Sequence, residues 1–264
     1  MKISRIHLVV AAMLVSLLGA QSAVAQYSLV EDFESYTLGT WNTPTTATAV
    51  WTSNTGGGTG LVAIESDGST QHLAFGWNAG QRGAWRATTP IAEGGSGTYY
   101  FQVRSEDATP DVSYGLSDAA APTGFGDFEV QVGLVDDGDG GNGVFNIIAR
   151  NGGAFEVLDT GLMPNTWYDV WVVVDNLADT YDVYYGTTGD PSTLGTNIGS
   201  GLAFRNGVAA NDLNRFWTLA NGHEDLNAHL DNIYHNPNAV PEPSALVLTL
   251  AAGSLALTSL RRRC

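Results

Sequence analysis

Cysteine and lysine are almost absent from this 264-residue chain, which contains one of each. A single cysteine excludes a disulfide framework and a multi-cysteine metal site. Basic residues of both kinds number 11 against 27 acidic ones, which gives a formal net charge of −16. Because phosphate recognition needs clustered lysine and arginine, this composition excludes a nucleic-acid partner.

Long stretches of helical periodicity are also missing, except in the apolar segment at the C-terminus. Apolar residues nevertheless make up 44% of the chain, which is enough for a packed core and excludes wholesale disorder. The length fits one or two domains.

The N-terminus has the features of a secretory signal. Lys2 and Arg5 precede an apolar stretch at residues 6–18, and Ala23 and Ala25 are small residues at the positions that a signal peptidase reads. We therefore expect residues 1–25 to be a cleaved signal peptide. The alternative is a short membrane helix, but the apolar stretch is below the roughly 20 residues that a span requires.

The C-terminus combines three features in one order: a Pro-Glu-Pro tripeptide, an apolar run at residues 245–260 and a basic tail. The residues concerned are Pro241, Glu242, Pro243, Arg261, Arg262 and Arg263. This order resembles the PEP-CTERM sorting signal of Gram-negative bacteria. The resemblance implies that an exosortase recognises residues 240–264, cleaves near the tripeptide and passes the protein to the outer surface or the exopolysaccharide matrix. The apolar run is marginal for crossing a bilayer, which suits transient anchoring, and the alternative is a plain C-terminal anchor.

The segment between the two signals is more acidic than the whole chain. Residues 26–239 contain 26 acidic residues (27 less Glu242) and six arginines, a net charge of −20. Such a surface repels anionic polymers unless divalent cations intervene.

Short runs with period-two alternation fill this segment and predict strands. They lie at residues 27–33, 61–65, 72–77, 98–104, 128–134, 144–150, 154–158, 167–175, 180–185, 215–219 and 228–234. Glycine-rich turns separate them. The sequence therefore predicts an all-β fold in which two antiparallel sheets form a sandwich. We expect one domain at residues 26–235, followed by a short linker at residues 236–239.

Four segments resemble parts of concanavalin A-like and laminin-G-like jelly rolls. Residues 165–175 and 180–186 resemble the tryptophan-containing strand and the hairpin that follows it, while residues 31–36 and 230–233 resemble the first and last strands. The resemblance implies that the first and last strands pair with each other.

Jelly rolls of this type often hold a structural calcium ion where those two strands meet. The resemblance places Glu34 and Asp231 there as carboxylate ligands, with Asp32 as a substitute, since strand alternation would put Asp32 and Glu34 on the face opposite Phe33. The alternative is that these residues are surface acids at strand ends.

The sequence lacks a complete catalytic motif. Alternation would direct Asp127, Glu129 and Gln131 to one face, as in the Glu-x-Asp-x-x-Glu strand of laminarinase-type glycosidases, but the second glutamate is absent. A polar, solvent-facing strand explains the same residues. Arg104-Ser105-Glu106 resembles a strand of alginate-lyase-like jelly rolls without their His-Tyr-Gln set, and the histidines do not pair by spacing.

We expect the strand at residues 167–175 to supply the core. Tryptophans outside that strand are candidates for stacking on sugar rings, in particular Trp41, Trp77 and Trp85. Burial between the sheets is the alternative for each of them. The sequence thus favours a secreted, surface-sorted protein that is not an enzyme and that binds glycan or adheres to extracellular polysaccharide. A polysaccharide-active enzyme on the same fold and a purely structural matrix protein are the alternatives.

If the C-terminal signal is processed, protein released from the surface of a host with an exosortase should lack the residues after about Pro243. Intact mass spectrometry of the released material measures this directly. Recovery of a species that retains Arg263 and Cys264 would contradict the cleavage.

Overall fold

The computed structural model describes residues 26–40, 50–54, 62–76, 81–139, 143–207, 211–221 and 227–237. The predicted signal peptide, the linker residues 238–239 and the sorting signal lie outside these residues, as do Trp41 and Trp77. No helix within the described residues has the length and apolar character needed to cross a membrane.

The described residues form two antiparallel sheets, so the predicted all-β sandwich is confirmed. The nine-stranded sheet contains β1 (Ser28–Glu31), β2 (Gly39–Thr40), β4 (Val62–Ser66), β5 (Gln71–Phe75), β7 (Ser96–Ser105), β12 (Tyr168–Asp175), β13 (Thr180–Gly186), β14 (Thr196–Ala203) and β16 (Ala228–Asn236). The seven-stranded sheet contains β3 (Trp51–Asn54), β6 (Arg82–Ile91), β8 (Asp111–Ser117), β9 (Val130–Asp136), β10 (Phe145–Asn151), β11 (Ala154–Leu162) and β15 (Leu213–Ala220).

The last strand lies in the interior of the nine-stranded sheet, whose order is β14-β13-β12-β7-β16-β5-β4-β2. One edge of β16 pairs with β7, while the other pairs first with β5 and then with β1. The expected pairing of the first and last strands is therefore confirmed. A bulge in β16, where Asn232 has a φ of 49°, separates the β5-paired part from the β1-paired part.

Period-two alternation determines which side chains form the core. In β12, Val170, Val172 and Val174 face the other sheet, and Asp169 and Trp171 face outward. The seven-stranded sheet contributes a matching inner face, which includes Val112, Tyr114, Leu116, Val130, Val132 and Leu134. Antiparallel sandwiches place the alternate residues of each strand on the outer faces, and these are the surfaces available for function.

The first strand is shorter than the sequence predicts. It ends at Glu31, whose buried carboxylate accepts hydrogen bonds from Trp51 Nε1 (3.0 Å), Tyr36 Oη (2.8 Å) and the backbone N–H of Phe33 (3.1 Å). Arg86 Nη1 completes this set at 2.6 Å. Because β1 ends at Glu31 and Phe33 has a φ of 57°, residues 32–34 do not continue the strand, so the strand alternation predicted for Asp32 and Glu34 is wrong. Phe33 is nevertheless buried, whereas Asp32 is partly exposed and Glu34 is exposed.

Candidate functional site

A row of polar side chains crosses the outer face of the nine-stranded sheet. Glu65 of β4 lies opposite His72 of β5, and His229 of β16 lies opposite Arg104 of β7. The rings of the two histidines contact each other edge to face, with centroids 4.8 Å apart. These residues, together with Asp67, Glu106 and Trp167, are called the Trp167 surface below.

Trp167 immediately precedes β12 and is partly exposed. The guanidinium of Arg104 lies over its ring, with the Cζ atom 4.9 Å from the centroid. The ring also contacts His72 and His229 edge to face, at centroid distances of 5.6 and 6.3 Å. The sequence predicts Trp167 as part of the strand that supplies the core, but the structure places it on the outer face.

Acidic side chains surround Arg104. Its Nη2 atom is 3.2 Å from Glu106 Oε1, and its Nη1 atom is 3.9 Å from Asp67 Oδ2. Glu106 is well exposed, with 44% of its side chain accessible, so it is a polar group that a ligand could reach. Burial, reinforced by the charge of Glu106, raises the pKa of Glu65.

The two histidines are buried and neutral. His72 is 2% exposed and His229 is 0% exposed. Burial, with the nearby Arg104 guanidinium as the next cause, lowers the pKa of His229 to about 2 and also lowers the pKa of His72. One ligand atom from each of Glu65, His72 and His229 lies within 4.8 Å of the other two. Sequence spacing did not indicate this convergence.

The predicted calcium ligands Glu34 and Asp231 lie beside this surface. Asp231 is buried and accepts hydrogen bonds from Asn232 N (2.7 Å) and Asn232 Nδ2 (3.1 Å). Exposed Glu34 accepts a hydrogen bond from Gln71 N at 2.8 Å. Burial is the first cause that raises the pKa of Asp231 to about 7, and the negative charges of Glu34, Asp32 and Asp67 add to it. The carboxylates are therefore close enough to repel one another.

The residues that resemble a glycosidase strand lie in β9 or just before it, and each has a hydrogen-bond partner within the fold. Asn206 Nδ2 donates to Glu129 Oε1 at 2.7 Å, and burial raises the pKa of Glu129. Gln131 donates to Ser113 Oγ at 2.8 Å, while Asp127 Oδ2 accepts a bond from Thr123 N at 2.6 Å. The predicted solvent-facing strand is wrong for Glu129 and Gln131, which are both buried.

The described tryptophans differ in exposure. Trp51, Trp171 and Trp217 are buried. Trp85 is partly exposed on the outer face of the seven-stranded sheet, where Arg215 covers its ring at 5.3 Å and where it packs against a cluster that includes Trp217. Trp85 thus stays a candidate for sugar stacking, although Trp167 has many more polar neighbours.

Comparison with known proteins supports the fold. No protein-family model matches the chain, and no curated protein matches it in sequence. Among solved structures it is similar to a sialidase, with a TM-score of 0.54, 11% identity and coverage of 80% of this chain and 18% of that one. The chain thus spans less than a fifth of the sialidase.

Two further structures match over most of their own length. One is the catalytic domain of a glycoside hydrolase family 131 protein from Coprinopsis cinerea, with a TM-score of 0.50, 13% identity and coverage of 79% of this chain and 93% of that chain. The other is peanut lectin in complex with a nine-residue peptide, with a TM-score of 0.50, 10% identity and coverage of 75% and 96%. The chain therefore has the jelly-roll sandwich that lectins and glycoside hydrolase domains share.

The raised pKa of Asp231 predicts how the substitution Asp231→Asn changes stability with pH in the presence of a chelator. Below about pH 4 the carboxyl is protonated in both states, so variant and wild type should melt alike. As the pH rises towards about 7, only the unfolded wild type ionises, and its folded state loses relative stability. At pH 8 the variant should melt a few degrees higher. Thermal melts at pH 4 and pH 8 measure the difference. A variant that is less stable than the wild type at pH 8 would contradict the raised pKa of Asp231.

Proposed function

We propose that this chain is a secreted, surface-sorted protein whose jelly-roll domain binds carbohydrate without cleaving it. The observation that carries the proposal is the Trp167 surface, where a partly exposed indole is surrounded by charged and polar groups on one sheet face. Aromatic rings stack on the apolar faces of sugars, and neighbouring polar groups bond their hydroxyls.

The groups beside Trp167 suit hydroxyl recognition. The carboxylate of Glu106 accepts hydrogen bonds, the guanidinium of Arg104 donates them, and both lie at the indole ring or next to it. Arg104 is held by Glu106 and by stacking on the ring, so little side-chain freedom is lost when a ligand binds.

The charge of the domain restricts the ligand to a neutral or cationic glycan. Glu65, Asp67 and Glu106 outnumber Arg104 on the Trp167 surface, and residues 26–239 have a net charge of −20. An anionic polysaccharide would be repelled from this face unless a divalent cation intervened. Neutral matrix polysaccharide is the partner that we propose.

Two features favour binding over hydrolysis. Glycoside hydrolysis needs a pair of carboxyl groups that can reach the scissile bond. Glu129, which precedes β9, accepts a hydrogen bond from Asn206, and Gln131 occupies the position of the second acid. Both side chains are buried, and each is hydrogen-bonded within the fold, Glu129 to Asn206 and Gln131 to Ser113. This favours a structural role.

A polysaccharide lyase is the second candidate, because the structure places Arg104 next to two histidines. A guanidinium could neutralise a uronate carboxylate while an imidazole removed the proton at the adjacent carbon. The pKa of about 2 makes His229 a very weak base at neutral pH, and His72 is shifted in the same direction. Release of unsaturated or reducing ends would identify an enzyme, whereas a purely structural protein would neither bind nor cleave.

Secretion and sorting form the second part of the proposal. The signal peptide at residues 1–25 and the PEP-CTERM-like segment at residues 240–264 support transient membrane anchoring, processing by signal peptidase and exosortase, and delivery to the cell surface or matrix. A domain that binds matrix polysaccharide would then be retained there after cleavage.

We also propose a structural calcium ion at Glu34 and Asp231. Their mutual repulsion, together with that of Asp32, would be relieved by a divalent cation, and carboxylate oxygens are the ligands that calcium prefers. The ion would hold the turn after β1 against the bulge in β16.

Replacement of Trp167 by alanine should abolish retention in affinity gels that contain neutral matrix polysaccharide, because the stacking platform is lost. An aromatic anchor contributes about 1.4 kcal/mol or more, so the dissociation constant should rise about tenfold or more. Trp85→Ala is the matched control, since it removes a partly exposed tryptophan from the other sheet. Loss of binding in Trp85→Ala but not in Trp167→Ala would move the site to the seven-stranded sheet.

Calcium added to chelator-treated protein should raise its melting temperature. An ion at 100 times its dissociation constant stabilises the folded state by about 2.7 kcal/mol. Glu34→Gln should lose this response. Glu65→Gln, which removes a carboxylate from β4, should keep it. An unchanged melting curve for the wild type across the calcium titration would remove the site.

A further inference from the structure

We propose that Glu65, His72 and His229 form a binding site for a transition-metal ion of the zinc class on the outer face of the nine-stranded sheet. The site differs from the proposed calcium pair in position and in ligand chemistry. It also stands independently of glycan binding, because it rests on different groups of the Trp167 surface.

The first observation is convergence. Three ligand atoms from three strands, β4, β5 and β16, lie within 4.8 Å of one another. Zinc–nitrogen bonds are about 2.0–2.1 Å long, so two ligands of a tetrahedral ion are roughly 3.4 Å apart. Closing the present separation requires shifts of about 1 Å, which rotation of the Glu65 side chain and small tilts of the rings can supply.

The second observation is that the buried ring nitrogens have no hydrogen-bond partner. Among the described residues, both nitrogens of His72 and both of His229 are inaccessible to solvent and unpaired. Nε2 of His229 is 3.2 Å from Glu106 Oε1, but the geometry is not that of a hydrogen bond. An unpaired buried polar group costs about 1–3 kcal/mol of stability. The four unpaired ring nitrogens of these two touching histidines therefore require an explanation.

Metal coordination supplies that explanation. Each ring would use one nitrogen as a ligand, and neutral imidazole is the form that binds metal. Two imidazoles and one carboxylate are the ligand set preferred by zinc and its neighbours in the first transition row, whereas calcium prefers oxygen ligands alone.

The charges around the site favour a cation despite the presence of Arg104. The guanidinium is matched by Glu106 and Asp67, at 3.2 and 3.9 Å, and Glu65 would itself be a ligand. Glu34 adds a further negative charge that acts on His72. Three protein ligands leave a fourth position of a tetrahedral ion, which a water molecule would fill.

The test is zinc binding by the purified full-length protein after treatment with a chelator, measured by isothermal titration calorimetry. We expect one zinc ion per chain and no competition from a large excess of calcium. Cobalt(II) at the same site should give visible d–d absorption with the intensity of a four- or five-coordinate ion, and zinc should remove it.

Three variants locate the ion. Glu65→Gln and His72→Gln should each raise the dissociation constant for zinc at least tenfold and weaken the cobalt spectrum. Glu93→Gln, which removes an exposed carboxylate that belongs to none of the proposed sites, is the control and should bind zinc as the wild type does. Because a buried substitution can disturb folding, the circular dichroism spectrum and melting temperature of each metal-free variant are recorded first. If His72→Gln does not fold, the test depends on Glu65→Gln, which changes a partly exposed residue.

Absence of stoichiometric zinc binding would overturn the proposal, as would zinc affinity that is the same in folded Glu65→Gln as in the wild type. Glycan retention measured with chelator present is a separate result. Its loss would bear on the proposed function alone, and zinc binding without glycan retention would leave the metal site standing.

Discussion

The position of β16 is the constraint on which the rest of the nine-stranded sheet depends. The last strand of the fold enters the interior of the sheet, and its hydrogen bonds to β7, β5 and β1 join strands from both ends of the domain. Its alternation buries Leu230 in the core and places His229 and Asp231 on the outer face. Both proposed ion sites and one part of the proposed glycan surface are consequences of this one pairing.

Much of the fold could be predicted because apolar alternation is strong where a strand is buried on one face. The hairpin of β12 and β13 and the pairing of β1 with β16 follow the expected pattern. The predicted runs omit β2, β3, β6, β8 and β14. The alternation of Val112, Tyr114 and Leu116 with small residues in β8 would have allowed its prediction. The signals of two others are weak, since β6 ends in Ala-Thr-Thr-Pro-Ile and β14 contains two glycines among small polar residues. Tertiary pairing, and not local propensity, makes these segments strands.

The candidate site was less accessible to sequence reasoning. Glu34 and Asp231 could be proposed because a known topology brings the first and last strands together. Glu65, His72 and His229 carry no such signal, since their strands become neighbours only through the sheet order. The sequence groups Trp167 with the core strand that follows it, but a shift of one residue along a strand reverses the face on which a side chain lies.

Hydroxyl-radical footprinting of Trp167 and Trp85, the partly exposed tryptophans among the described residues, tests whether carbohydrate binds the outer face of the nine-stranded sheet. The protein is oxidised with and without neutral matrix polysaccharide, and the extent of modification at each indole is read by peptide mass spectrometry. We expect polysaccharide to protect Trp167 and to leave Trp85 unchanged. Protection of Trp85, with Trp167 still oxidised to the same extent, would contradict binding at the nine-stranded sheet.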